Sequence, residues 1–310
     1  MLDELASAVR GRRVSAEELV RTSLERIERL NPTIGAVISV RERSVDEARA
    51  LDARVLAGED AGPLAGVPLL VKDMEPVEGV PTTHGSLVYA DAPPADADGL
   101  IPRRLKAAGA IVVGKTNQPE FAFAGYTDNL LYGPTRNPWN LEASPGGSSG
   151  GSGAAMAAGM APIATATDGG GSIRIPAAFC GLVGLKPQRG RVPMEPHDHW
   201  NNLSAAGCVT RRVADTALYL DVVTDGGGDP GGPEPPAQPF AVAAATTPAR
   251  LRIAISSKPA RAIMPPVVTD EVLAGLAETE DLLRSLGHEV QRHEPDFGMT
   301  GNNFVARYMG

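Results

Sequence analysis

The chain has 310 residues, with 29 Lys and Arg against 37 Asp and Glu, a formal net charge of −8. That length allows one large or two ordinary domains with ample core, and the charge is wrong for a general nucleic-acid binder or for attachment to an anionic membrane. No apolar run approaches the roughly 20 residues needed to span a bilayer, and two cysteines, Cys180 and Cys208, make neither a disulfide framework nor a zinc ribbon.

In chain order, the opening MLDELASAVRGRR carries acids and no apolar core of a secretory signal, so a cytoplasmic protein is expected. Ser15 and Glu18 make a capping box, with Val14 and Leu19 as a hydrophobic staple. Leu19, Val20, Leu24, Ile27 and Leu30 continue at helical spacing until Asn31-Pro32 stops the helix. Residues 36–40 read as a strand, 45–56 as a helix, and 68–71 as a short apolar strand running straight into Lys72 and Asp73. Helix 100–108 and strand 110–113 precede a polar stretch to residue 145; helix 154–160 and strand 161–167 follow. Then come strand 182–185 and helix 214–223, a Gly/Pro/Ala-rich surface linker over 225–249, and a strand–helix–strand unit at 251–256, 269–286 and 289–293. Alternating strands and helices imply an α/β sheet with helices on both faces. At the end of the sequence Phe304, Val305, Tyr308 and Met309 keep helical spacing with no closing cap, so a cut rather than a finished helix is expected there.

Four motifs invite misreading. Gly109-AIVV-Gly114-Lys115-Thr116 fits the P-loop expression, but a helix end precedes it and its variable positions form a strand rather than a phosphate loop. Gly146-Gly147-Ser148-Ser149-Gly150 fits the nucleophile elbow, yet the preceding Asn- and Pro-rich segment cannot be the buried strand an elbow requires. His197-Asp198-His199 has no further ligand cluster near it and reads as a polar loop after Pro196, and the Asn202-Leu203-Ser204 sequon has no secretory signal to give it meaning.

Glycine (35) and proline (27) make up a fifth of the chain, while aromatic residues are only 4%. The glycines cluster at 146–153 and 169–171, beside the residues that can carry chemistry. Lys72 ends an apolar strand, where desolvation would lower its proton affinity and leave a neutral amine able to act as a base; the bland alternative is a lysine that snorkels to solvent. Ser172 follows three glycines at a strand end. Converging backbone N–H groups beside a hydroxyl suit an oxyanion hole next to a nucleophile, and equally a phosphate site or a serine cap. Ser148 and Ser149 precede a small-residue helix that they could cap, or one of them could relay a proton.

GGSSGGSG followed by TDGGGSIRIPAAFCGLVGLKP, together with GVPLLVKD and GAIVVGKTNQPEF, resembles the amidase signature family. Ser172 lies 24 positions after Ser148, the spacing found there, and the resemblance runs from the Ser15 helix through Leu185 and more weakly onward. It implies a mixed central β-sheet sandwiched between helices, one amidase signature domain over 1–310 with its C-terminal portion missing, and no metal or cofactor. It also implies a triad: Ser172 as the nucleophile that forms an acyl-enzyme, Ser148 as a bridging serine joined to Gly147 by a cis peptide, and Lys72 as the neutral base. Backbone N–H groups of Gly169, Gly170, Gly171 and Ser172 would form the oxyanion hole, and Ser149, Asp168 and Arg174 a supporting network. Cys180 matches a structural position.

The implied activity is hydrolysis of a small-molecule amide of small or medium apolar character. Arg136-Asn-Pro-Trp139 and DGGGSIRIP look more like free-standing amidases, including those acting on aryl amides and aminohexanoate oligomers. The glutamine-hydrolysing A subunit of a tRNA-dependent amidotransferase is the alternative, but it usually has Gln where Ile175 stands and Asp-Thr-Gly-Gly where this chain has Asp168-Gly-Gly-Gly171. An inactive truncated remnant is the non-enzyme alternative. No nucleic-acid or membrane partner is implied, and a homodimer is left open.

Overall fold

The computed structural model describes residues 1–196, 199–224, 231–258 and 267–296, Asn201 by its backbone alone. Its contacts fall into two units, Met1–Ala245 and Thr246–Gly310.

The first unit opens with helix α1 (Leu2–Arg10), which the sequence reading passed over; Leu2, Ala6 and Val9 bury one face of it. Helix α2 (Ala16–Ile34) starts at the expected capping box: Ser15 Oγ accepts from the Glu18 N–H at 3.0 Å, and Glu18 Oε2 accepts from the Ser15 N–H at 2.9 Å. It runs one turn past Asn31-Pro32 and closes at Gly35, whose φ of 65° lets its N–H turn back to the Asn31 carbonyl. The Asn31 side chain then accepts from the N–H groups of Ala36 and Val37, leading the chain into strand β1 (Val37–Val40).

Helix α3 (Ser44–Leu56), strand β2 (Pro68–Lys72), helix α4 (Leu100–Ala107) and strand β3 (Ile111–Thr116) follow, close to the expected bounds. β3 takes in Gly114-Lys115-Thr116 as strand, so the P-loop pattern has no loop. Helix α5 (Gly150–Ala157) begins four residues earlier than expected, inside the glycine cluster. Glycine is needed at 151, where any Cβ would strike the Asn117 backbone and the Ala36 carbonyl. Strand β4 (Ile163–Asp168), helix α6 (Arg174–Cys180), strand β5 (Val183–Gly184), the short helix α7 (His199–Asn202), strand β6 (Ala205–Thr210) and helix α8 (Val213–Val223) complete the layer. β6 was unforeseen because AAGCVT offers small side chains and no alternation.

Residues 225–249 were expected to be linker, yet Phe240–Ala245 forms helix α9, whose first N–H groups, from Phe240 and Ala241, are held by the Asp221 carboxylate of α8. The second unit is a strand–helix–strand: β7 (Arg252–Ile255) and β8 (Glu289–Arg292) pair in parallel, joined through α10 (Asp270–Ser285). The expected helix over Phe304–Met309 lies outside the described residues.

Strand order in the first unit is β1-β3-β2-β4-β6-β5. The inner trio β3-β2-β4 is parallel, while β1, β6 and β5 are antiparallel to their neighbours, so the sheet is mixed, as expected. α2 packs with α5, and α4 with α8, against it. The three inner strands end side by side at Lys72, Thr116 and Asp168, and the carboxyl edge of parallel strands is where α/β folds gather functional groups.

Candidate active site

Lys72 is fully buried at the end of a strand flanked on both sides. Its Nζ lies 2.7 Å from Ser148 Oγ, 3.0 Å from Ser149 Oγ and 3.0 Å from Thr167 Oγ1, and it makes no ion pair among the described residues. Burial brings the amine down from 10.5 to about 7, opposed by the negative charges of Glu75 and Asp168. The snorkelling alternative fails on that burial.

The hydrogen bonds around Nζ have a direction that follows from the neighbours. Ser149 Oγ donates to the Thr167 carbonyl, and Thr167 Oγ1 donates to Met74 Sδ. Both hydroxyls therefore accept from Nζ. In its neutral form the amine has two hydrogens and one lone pair, so that form leaves the lone pair for the Ser148 O–H. Ser149 is the residue before α5 but makes no capping bond; its hydroxyl goes to Lys72 instead. The Gly147–Ser148 peptide is cis, and both serines are buried.

Ser172 lies at the mouth of the same arrangement, 9% exposed. Its carbonyl accepts from the Ser149 N–H at 3.3 Å, which ties the two glycine loops together. Ser148 and Ser172 line one cavity of about 650 Å³, although no hydrogen bond among the described residues joins their hydroxyls.

Asp168 is buried and organises the turn before Ser172. It takes a two-pronged ion pair from Arg174, with Nε and Nη2 each at 2.9 Å, and accepts from the N–H groups of Gly171 (2.8 Å) and Ile173 (3.2 Å). Burial works to raise this carboxyl, but Arg174 and the N–H groups of Ile173 and Gly171 hold it below its ordinary value. The Gly171 N–H is thus committed to Asp168 and unavailable to a ligand, a departure from the expected donor set. The N–H groups of Gly169, Gly170 and Ser172 have no partner among the described residues.

Several residues in the site were not foreseen. Thr165 and Thr167 share a face of β4 by strand alternation, a signal present in ATATD. The cavity wall carries His84, Tyr89, Phe121, Phe123 and Trp200, a concentration of rings in a chain poor in them. His84 and Phe121 stack at 6.2 Å, and Tyr89 meets both edge-on. His84, Phe121, Ala122 and Trp200 have φ between 48° and 58°, left-handed backbone that non-glycine residues adopt at a cost and that clusters at functional walls. Trp200 lies against Gly169, where a Cβ would strike its ring. His199 shares a hydrogen bond with Ser204 Oγ at 2.9 Å, while His197 and Asp198 lie outside the described residues. No helix among the described residues is long and apolar enough to cross a membrane.

A family model described as Amidase matches residues 18–298. The putative amidase AmiB2 of Mycobacterium tuberculosis is 45% identical over 298 residues, covering 95% of this chain and 62% of that protein. An acylamidase of Rhodococcus erythropolis is 44% identical over 222 residues, 71% of this chain and 46% of that one. Among solved structures, a 6-aminohexanoate cyclic dimer hydrolase complexed with substrate superposes with a TM-score of 0.85 at 34% identity, covering 95% of this chain and 61% of that one. The chain therefore spans about three-fifths of the length of AmiB2 and of the dimer hydrolase. With the match running across most of its residues, the chain belongs to the amidase family, whose members carry the amidase signature.

Proposed function

We propose that this chain carries the catalytic machinery of an amidase that hydrolyses a carboxylic amide to an acid and an amine through an acyl-enzyme on Ser172. The observation that carries the reading is the buried Lys72 amine, brought down to about 7 by desolvation and 2.7 Å from Ser148 Oγ, with Ser172 in the same cavity. Lys72 takes the Ser148 proton as Ser148 takes that of Ser172, and Ser172 Oγ bonds to the amide carbon. The carbonyl oxygen becomes an oxyanion facing the unpaired N–H groups of Gly169, Gly170 and Ser172. Collapse breaks the C–N bond, the proton returns through Ser148 to the leaving amine, and water attacks the ester to free the acid. The Ser172–Ser148 hydrogen bond closes when substrate fills the cavity, since such contacts tighten on binding.

The aromatic wall supports a small or medium apolar substrate, and the names of the relatives above agree with an acyl-amide chemistry. Incubation with a fluorophosphonate probe and mass mapping should place one adduct on Ser172, absent in Ser172→Ala. Hydrolysis of anilides and alkylamides should exceed that of glutamine. A folded sample that takes no adduct and cleaves none of these amides refutes the reading.

A further inference from the structure

Glu75 is a titratable group that the Ser172–Ser148–Lys72 relay leaves unused. It lies three residues beyond Lys72, where the chain turns back so that the N–H groups of Met74 and Glu75 donate to the Lys72 carbonyl at 2.8 and 3.1 Å. The pairing of β2 with β4 ends at Leu70 and Ala164. Beyond it, the Lys72 N–H donates to Thr165 Oγ1 at 3.0 Å, and the Thr165 hydroxyl donates to Glu75 Oε2 at 2.5 Å. Glu75 thus grips the Lys72 backbone on both sides: through its own N–H on the carbonyl, and through Thr165 on the N–H.

The surrounding charges are otherwise matched. Lys115 of β3 pairs with Asp73 at 2.8 Å, and Asp168 at the end of β4 pairs with Arg174. The charge of Glu75 acts on buried Tyr219 of α8, and Glu75, Glu195 and His199 line a pocket of about 120 Å³ beside the main cavity, Glu195 being paired with Arg103. Lys72 and Glu75 are in no ion pair among the described residues.

We propose that Glu75 is a positioning residue for Lys72, fixing the lysine backbone through Thr165 and supplying the countercharge when Nζ takes up a proton. This rests on the reading of Lys72 as the base. The burial that lowers Lys72 also pushes the Glu75 carboxyl up to about 7, against the Thr165 hydroxyl and the charges of Lys72 and Lys115, so near neutrality the two groups titrate as a coupled pair.

The chain has only five lysines, so a sample labelled with ¹³C at lysine Cε gives few resonances, and that of Lys72 is identified by its loss in Lys72→Arg. Glu75→Gln keeps an acceptor for Thr165 but removes the charge; the Lys72 titration midpoint should fall on the order of one pH unit. Thr165→Val removes the bridge, and fluorophosphonate labelling of Ser172 should slow about tenfold or more, the loss expected when a positioning contact goes. A midpoint unmoved in Glu75→Gln overturns the inference, and if that variant does not fold, labelling of Thr165→Val at the wild-type rate overturns it. Wild-type protein inert toward amides, with the Glu75→Gln shift intact, would refute the functional reading and still support the coupling.

Discussion

Replacing Lys72 with methionine should remove activity and change the pH dependence of stability in a calculable way. The amine titrates at about 7 in the folded chain against 10.5 as a free side chain. Between those values the unfolded chain holds a proton that the folded chain does not, so wild-type stability rises with pH across the window. The cost of burying this lysine is full below about pH 7, where it amounts to about 5 kcal/mol, and vanishes above the unfolded value. Methionine has similar bulk and no charge. It leaves the Ser148, Ser149 and Thr167 hydroxyls without Nζ, but that loss is a pH-independent offset. The stability of Lys72→Met minus that of wild type should therefore shrink by about 3 kcal/mol between about pH 7.5 and about pH 9.5. Urea unfolding of both proteins at the two pH values, followed by fluorescence of Trp139 and Trp200, reads the difference. A difference constant to within about 1 kcal/mol would show that Lys72 is not held neutral by the fold, and the proton relay would lose its base.

The other expectations concern the groups around the relay. Asp168→Asn leaves one acceptor oxygen for an arrangement that now serves Gly171, Ile173 and Arg174; kcat/KM should fall about 10- to 100-fold as the turn before Ser172 loosens, and a variant with wild-type kcat/KM would show that the turn holds itself. Gly169→Ala drives a Cβ into the Trp200 ring, so KM for an anilide should rise while the melting temperature barely moves; an unchanged KM would mean that Trp200 takes no part in binding. Lys115→Met strands the buried Asp73 charge, and although Thr83 and Gly85 still donate to it, a loss of about 3–5 kcal/mol in urea unfolding is expected, with little change meaning that the pair contributes nothing net.

Much of this site can be read from local chemistry. PLLV before Lys72 announces a buried strand end, and the two glycine clusters mark where loops must approach closely. What escapes is whatever depends on a partner far away in the chain. Ser149 is placed like a helix cap, and only the position of Lys72, 77 residues earlier, shows that its hydroxyl is used elsewhere. The run of glycines 169–171 looks like three equivalent donors until Asp168 claims the middle of the turn through Gly171. β6 is held by burial against the rest of the layer rather than by its own periodicity, whereas α1 carries a helical i, i+4, i+7 spacing at Leu2, Ala6 and Val9 that was legible and passed over; the aromatic wall is assembled from segments near residues 84–89, 121–123 and 200 that share no local pattern.

Lys115 provides an internal contrast that bears on the reading of Lys72 as a base. Both lysines are fully buried near the ends of adjacent strands, so desolvation acts on each. Lys115 meets a carboxylate at 2.8 Å, together with the Pro81 carbonyl and Thr82 Oγ1, partners that only accept or are best served by an ammonium. Lys72 meets three hydroxyls, which carry no charge and so do not fix its protonation state. Its nearest carboxylate influence, Glu75, reaches it through Thr165 and across space rather than by contact. A direct pair opposes loss of the proton, as Asp73 opposes the downward pull of burial on Lys115, whereas complete isolation would leave the protonated state with no countercharge. On the proposed reading, hydroxyl contact combined with a carboxylate one step removed would let the amine take a proton and release it within the same site.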